Sequence, residues 1–218
     1  MPVTIQSNFS TESKAFKTIE GMWLFAGGAT YIQYGASTAI ANTTTETSIF
    51  AGSPSTATFA QQGSANYPAS TLQIPGINSI AGTYGGHKAG TMWGWNFYGS
   101  MGITGTPTIR VRATLTNSAG TVYTVADTTA IAATNFSGTQ SAQIFGNYTV
   151  GTYGTSGSIN GVIAIVYGGT HSGSIVSPVT SVTLDTTQPY TFDIKFTWGT
   201  QSSSNTFTNT FGQFGVVG

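Results

Sequence analysis

Residues Tyr190 to Trp198 read YTFDIKFTW. Tyr190, Phe192, Ile194, Phe196 and Trp198 alternate with Thr191, Asp193, Lys195 and Thr197. A period of two marks a β-strand with one buried face. The inward residues are aromatic or β-branched, so propensity agrees with pattern. Pro189 and Gly199 bound the strand, and a polar stretch, TQSSSN, leads into a second aromatic run from Thr206 to Val217. The two runs read as one long antiparallel hairpin whose apolar face needs a second sheet to cover it.

The same alternation recurs upstream. In TMWGWNFYGSMGI, Thr91 to Ile103, one face carries Trp93, Trp95, Phe97, Met101 and Ile103, and the other carries Asn96, Tyr98 and Ser100. Gly105 to Pro107 form a turn, and Thr108 to Thr116 return with Ile109, Val111, Ala113 and Leu115 inward and Arg110, Arg112 and Thr114 outward. The NSAG stretch, Asn117 to Gly120, reads as a turn into Val122 to Val125. Ser141 to Thr152 places Ile144, Tyr148 and Val150 on one face. Gly157 to Tyr167 is apolar on both faces from Val162 onward, which predicts a central strand or one at a subunit contact. IANTTTETSIF from Ile40, TLQIP from Thr71 and the run Val179 to Leu184 supply further strands. Roughly eight to ten strands separated by turn residues, with no convincing helix in the body, predict an all-β, antiparallel β-sandwich or barrel of jelly-roll type.

Residues 1–40 differ in character and are expected to form an N-terminal arm ahead of a sandwich spanning 41–218. Ser10 to Met22 is the only stretch with helical character. Phe16, Ile19 and Trp23 are the candidate anchoring contacts of the arm. One reading docks this arm on a neighbouring molecule, and the other folds it back as a strand closing the core. Val162, Ile163 and Val166 are candidate subunit contacts.

Charged residues make up 6% of the 218-residue chain and the net charge is zero, against roughly a quarter charged in ordinary domains. Six scattered Lys and Arg argue against nucleic acid as a partner. Little charge also means little repulsion between copies, which favours self-assembly. The absence of cysteine removes disulfides and thiolate chemistry. No apolar run approaches the ~20 residues of a membrane span, and the polar N-terminus does not read as a signal peptide.

The residues offer little for catalysis. Asp185 and Asp193 are the only carboxylates close in sequence within the sandwich segment, and they read as a turn residue and a surface charge beside Lys195. His87 and His171 lie in glycine-rich loops without metal-ligand spacing. No cofactor, metal site or nucleophile motif is expected. Tyr84, His87, Tyr153 and His171 remain as candidate surface contacts, and Tyr84 and Tyr153 are the tyrosines placed to stack on a glycan. Gly76 to Gly90 forms a long glycine-rich loop.

Three pieces in order carry a family resemblance: IANTTTETSIF with TLQIP, FYGSMGITGTPTIRVRATL, and DTTQPYTFDIKFTWGTQSSSNTFTNTFGQF. Together they resemble the jelly-roll module of tailed-bacteriophage structural proteins, over about residues 40 to 217. The module has a Thr-rich strand, a TLxIP-like strand, a GTPT strand pair and a closing WGt…N segment. The chain departs from it in the long GTYGGHKAG loop and in the N-terminal 40 residues. The resemblance implies a non-enzymatic virion protein, usually a homotrimer, made in the host cytoplasm. Without heptads for a fibre shaft, it points to a capsid decoration protein bound to the major capsid protein or another virion protein. A tail-fibre, receptor-binding or carbohydrate-binding β-sandwich is the alternative.

Overall fold

In the computed structural model, the residues described are 31–33, 35–51, 72–74, 89–133, 138–168, 173–188 and 190–217. They form fourteen strands: β1 (Tyr31–Gln33), β2 (Ile40–Ala41), β3 (Thr47–Ser48), β4 (Leu72–Ile74), β5 (Met92–Gly102), β6 (Thr108–Thr116), β7 (Val122–Asp127), β8 (Ile131–Ala132), β9 (Thr139–Thr152), β10 (Gly157–Tyr167), β11 (Gly173–Val176), β12 (Thr180–Leu184), β13 (Tyr190–Trp198) and β14 (Thr206–Val217). Every pairing is antiparallel. The larger sheet runs β1-β14-β5-β9-β10-β11, with β2 also on β14 and β12 also on β10. The smaller runs β3-β13-β6-β7, with β4 also on β13 and β8 also on β6. The chain is thus an all-β antiparallel sandwich.

The expected hairpin of β13 and β14 does not form: the two strands lie in different sheets. Their aromatic faces oppose one another instead of sharing a plane. Phe192 stacks on Phe214 at 4.2 Å and Phe196 on Phe207 at 4.7 Å. The physical reason is coverage. Two adjacent strands would leave both aromatic faces on one sheet needing a second sheet to cover them, whereas opposed strands bury each against the other. β5 and β6 divide between the sheets in the same way. The two crossings run together, the Thr104 N–H donating to Asn205 Oδ1 at 2.8 Å and the Gly199 N–H to the Thr108 carbonyl at 2.8 Å.

The Thr-rich strand also divides. Ile40–Ala41 pairs with β14 and Thr47–Ser48 with β13, so this segment crosses from one sheet to the other. The buried Trp198 Nε1–H donates to the Ile40 carbonyl at 2.9 Å and fixes the crossing. Upstream, Tyr31–Gln33 adds to the edge of β14, and buried Ser37 exchanges hydrogen bonds with the Asn209 backbone. The Asn117–Gly120 turn does join β6 to β7. Asn117 Oδ1 accepts the Ala119 and Thr121 N–H groups, and Gly120 adopts φ +82°.

The core between the sheets contains the inward residues read from the alternation, including Trp93, Trp95, Phe97, Ile109, Val111, Leu115, Ile144, Tyr148 and all five of β13. At one corner β10 approaches β7 so closely that a Cβ on Gly161 would lie 2.2 Å from the Val125 carbonyl oxygen. That backbone contact, which only glycine allows, curls the larger sheet toward the smaller.

Phe192 touches Phe214, Trp95 and Tyr148. Phe192→Ala is expected to cost about 3–5 kcal/mol in denaturant unfolding. A loss below about 1 kcal/mol would contradict its place at the centre of the seam.

Candidate functional site

The two outer faces differ in charge. Six of the seven charged residues described, Glu46, Arg110, Arg112, Asp127, Asp193 and Lys195, belong to the smaller sheet or the segment entering it. The seventh, Asp185, is in the turn leading to β13. The outward rows of β14, β5, β9 and β10 contain no charge at all. Across these strands, Phe211 aligns with Tyr98, Gln143 and Val166, and Gln213 with Asn96, Phe145 and Ala164.

The carboxylates of the smaller sheet are engaged in structural contacts. Arg112 grips Glu46 with two guanidinium nitrogens, the Nε bond being 2.6 Å. Arg110 grips Asp127 in the same way, the Nε bond being 2.9 Å. Burial alone would raise the Asp127 pKa, but the Arg110 hydrogen bond, the Thr129 N–H and the nearby guanidinium charges together hold it below the usual range. Asp193 corrects the expectation of a surface charge. Its side chain is only 16% exposed, because β3 packs beside it and Ser48 Oγ donates to it at 2.7 Å. Burial pushes its pKa up despite Ser48 and Lys195, whose Nζ is 3.4 Å away. Asp185 accepts the Thr187 N–H and hydroxyl at 2.9 and 2.6 Å, and these bonds lower its pKa. Tyr190 donates to the Asp185 carbonyl, and burial, with lesser effects from Tyr123 and Asp185, raises its pKa to about 12. Among the described residues no three His, Asp or Glu side chains gather to hold a metal ion, and no helix is long and apolar enough to cross a membrane.

The larger sheet's outer face has more binding character. A groove of about 360 Å³ crosses β14, β5 and β9, lined by Met92, Asn96, Tyr98, Gln143, Phe145 and Val217 among others. Gln143 Nε2 donates to Asn96 Oδ1 at 2.8 Å, and Asn96 Nδ2 to the Tyr98 hydroxyl at 2.9 Å. Tyr98 stacks on Phe211 at 4.8 Å, and Phe145 and Phe211 remain 38% and 51% exposed. Beyond the groove, Val176 and Val179 stand out from the β11–β12 edge at 61% and 71% exposure. Among the described residues no strand pairs with the far side of that edge.

Of the residues singled out in the sequence, Tyr153 is exposed at the β9–β10 turn. Val162 and Val166 are half-buried on the outer face of β10. Ile163 is corrected: it is fully buried in the core, because the strand's period of two turns it inward between those valines, so it reaches no subunit contact. Tyr84, His87, His171, Phe16, Ile19 and Trp23, with most of the glycine-rich loop, lie outside the described residues. The groove was missed because its residues come from three strands whose register the sequence does not reveal. One signal was present: Phe145 is a lone aromatic on the face opposite Ile144, Tyr148 and Val150. No protein-family model and no curated protein matches the chain.

Asp193 and Asp127 have opposite pH linkage. A raised native pKa contributes stability at low pH that is lost as pH rises through it, and a lowered one contributes stability that is lost as pH falls through it. Asp193→Asn is therefore expected to raise the thermal midpoint at neutral pH, the gain vanishing in acid. Asp127→Asn should lower neutral-pH stability by about 1 kcal/mol or less, since Arg110 is partly exposed and the pair is screened. Thermal unfolding across the acid range checks both, and equal slopes for the two variants would contradict the assignment.

Proposed function

We propose that the chain is a non-enzymatic virion structural protein of the capsid decoration type, a jelly-roll sandwich that self-associates as a homotrimer on the phage head. The observation that carries this reading is the nesting of its strand pairs. Pieces lying along one side of a common neighbour join into single ribbons: β1 with β2, β3 with β4, and β7 with β8. The first ribbon then pairs with β14, the second with β13, β5 with β9, and β6 with the β7–β8 ribbon. This is one long hairpin, with its tip at Asn117–Gly120, folded over so that β14 meets β5 and β13 meets β6. That order supports the jelly roll, with the β10–β11/β12 hairpin added beyond β9. The order and spacing of the phage-like segments support the class, and the homotrimer comes from that resemblance.

The added hairpin supports self-association. Its edge is uncharged in the described residues and presents Val176 and Val179, beside half-buried Val162 and Val166. Sheet edges that stay free are normally guarded by charge or proline. Pro178 lies between the exposed valines but no lysine does. An apolar edge without charge on a nearly neutral protein is compatible with solubility once it is buried in a closed oligomer.

The full chain should sediment as a trimer, and mass spectrometry and electron microscopy should find it at high copy on the heads of purified particles. V176K/V179K should give monomers that no longer join particles, with unfolding free energy changed by no more than about 0.5 kcal/mol. A wild-type monomer absent from particles would refute the proposal.

A further inference from the structure

We infer that the groove on the outer face of the larger sheet is a binding site for a neutral oligosaccharide. The first observation is the absence of charge among the described residues that line it. The site contains amides, hydroxyls, aliphatic groups and rings, so it offers no ion pair to a phosphate, carboxylate or amine. The second is the hydrogen-bonding pattern. Gln143, Asn96 and Tyr98 form a directed chain in which each group's orientation is set by the next. Asn96 spends its carbonyl on Gln143 and one N–H on Tyr98, which leaves its second N–H. Gln143 keeps its carbonyl and one N–H, and Tyr98 keeps its O–H. Three donors and one acceptor are thus held along a short fixed line, and sugar hydroxyls, each being both donor and acceptor, can answer all of them.

The third observation is the pair of apolar platforms flanking that line. The stacked Tyr98–Phe211 pair lies on one side and the exposed Phe145 on the other. The C–H face of a pyranose covers such a ring while its equatorial hydroxyls reach the amides. The groove volume is within the range of small-molecule sites, and its open form suits a segment of a longer glycan. This site is distinct from the Val176–Val179 edge and from Tyr153, and it does not depend on the virion reading.

The test is a glycan array carrying neutral and acidic oligosaccharides, probed with the labelled full chain. Wild type should be retained by neutral pyranosides in preference to sialylated or sulfated ones. Phe145→Ala and Asn96→Ala should each weaken retention by about ten-fold, while Tyr98→Phe, which loses only the hydroxyl, should weaken it less. Thermal midpoints and sedimentation of the variants should match wild type. The inference is overturned if no neutral glycan is retained, if acidic glycans are preferred, or if Phe145→Ala leaves retention unchanged. It is equally overturned if Phe145→Ala disperses an oligomer, since the face would then be a subunit interface.

Discussion

The aromatic seam between β13 and β14 holds the two sheets to each other. Phe192 on Phe214 and Phe196 on Phe207 are near-parallel stacks between opposed sheets, at 17° and 5°. Such pairs contribute about 0.5–1.5 kcal/mol each beyond the area they bury. They also determine connectivity. Once consecutive strands face one another across the core, every neighbour that pairs with one of them is assigned to that sheet. β5 and the β1–β2 ribbon follow β14, while β6 and the β3–β4 ribbon follow β13.

Separating the strands in this way also separates the chemistry. The chain has few charges, and those described are concentrated where β13 and β6 run side by side, as ion pairs and buried carboxylate contacts. The larger sheet is left with an outer face of amides, hydroxyls and rings. The two faces therefore suit different tasks. The charged face holds itself together through Arg110–Asp127 and Arg112–Glu46. The uncharged face offers an apolar edge at one side and a groove with oriented amides in its middle. A surface protein that assembles through one part of a sheet can keep the rest of that sheet open to a ligand.

Strand positions and inward faces were legible in the sequence because the alternation is strong: the aromatic residues of Trp93–Phe97 and Tyr190–Trp198 are buried as the period requires. Pairing was less legible. A polar link such as TQSSSN joins two strands equally well within one sheet or across two, and its composition does not distinguish them. The burial of Asp193 was hidden for a related reason. Ser48, which bonds it, is 145 positions away in the chain. The groove required three registers at once, including the irregularity in β14 between Asn209 and Phe211 that places Phe211 beside Tyr98.

In the proposed assembly the uncharged sheet meets its neighbours by the β11–β12 edge, while the charged sheet remains a structural wall. Amide hydrogen exchange of the full chain, compared between assembled and dilute samples, tests it directly. Protection gained on assembly is expected to be concentrated in residues 173–182, with little change in β6, β7 and β13. Protection gained chiefly on the outer strands of the charged sheet, with the β11–β12 edge exchanging as freely as in the dilute chain, would contradict it.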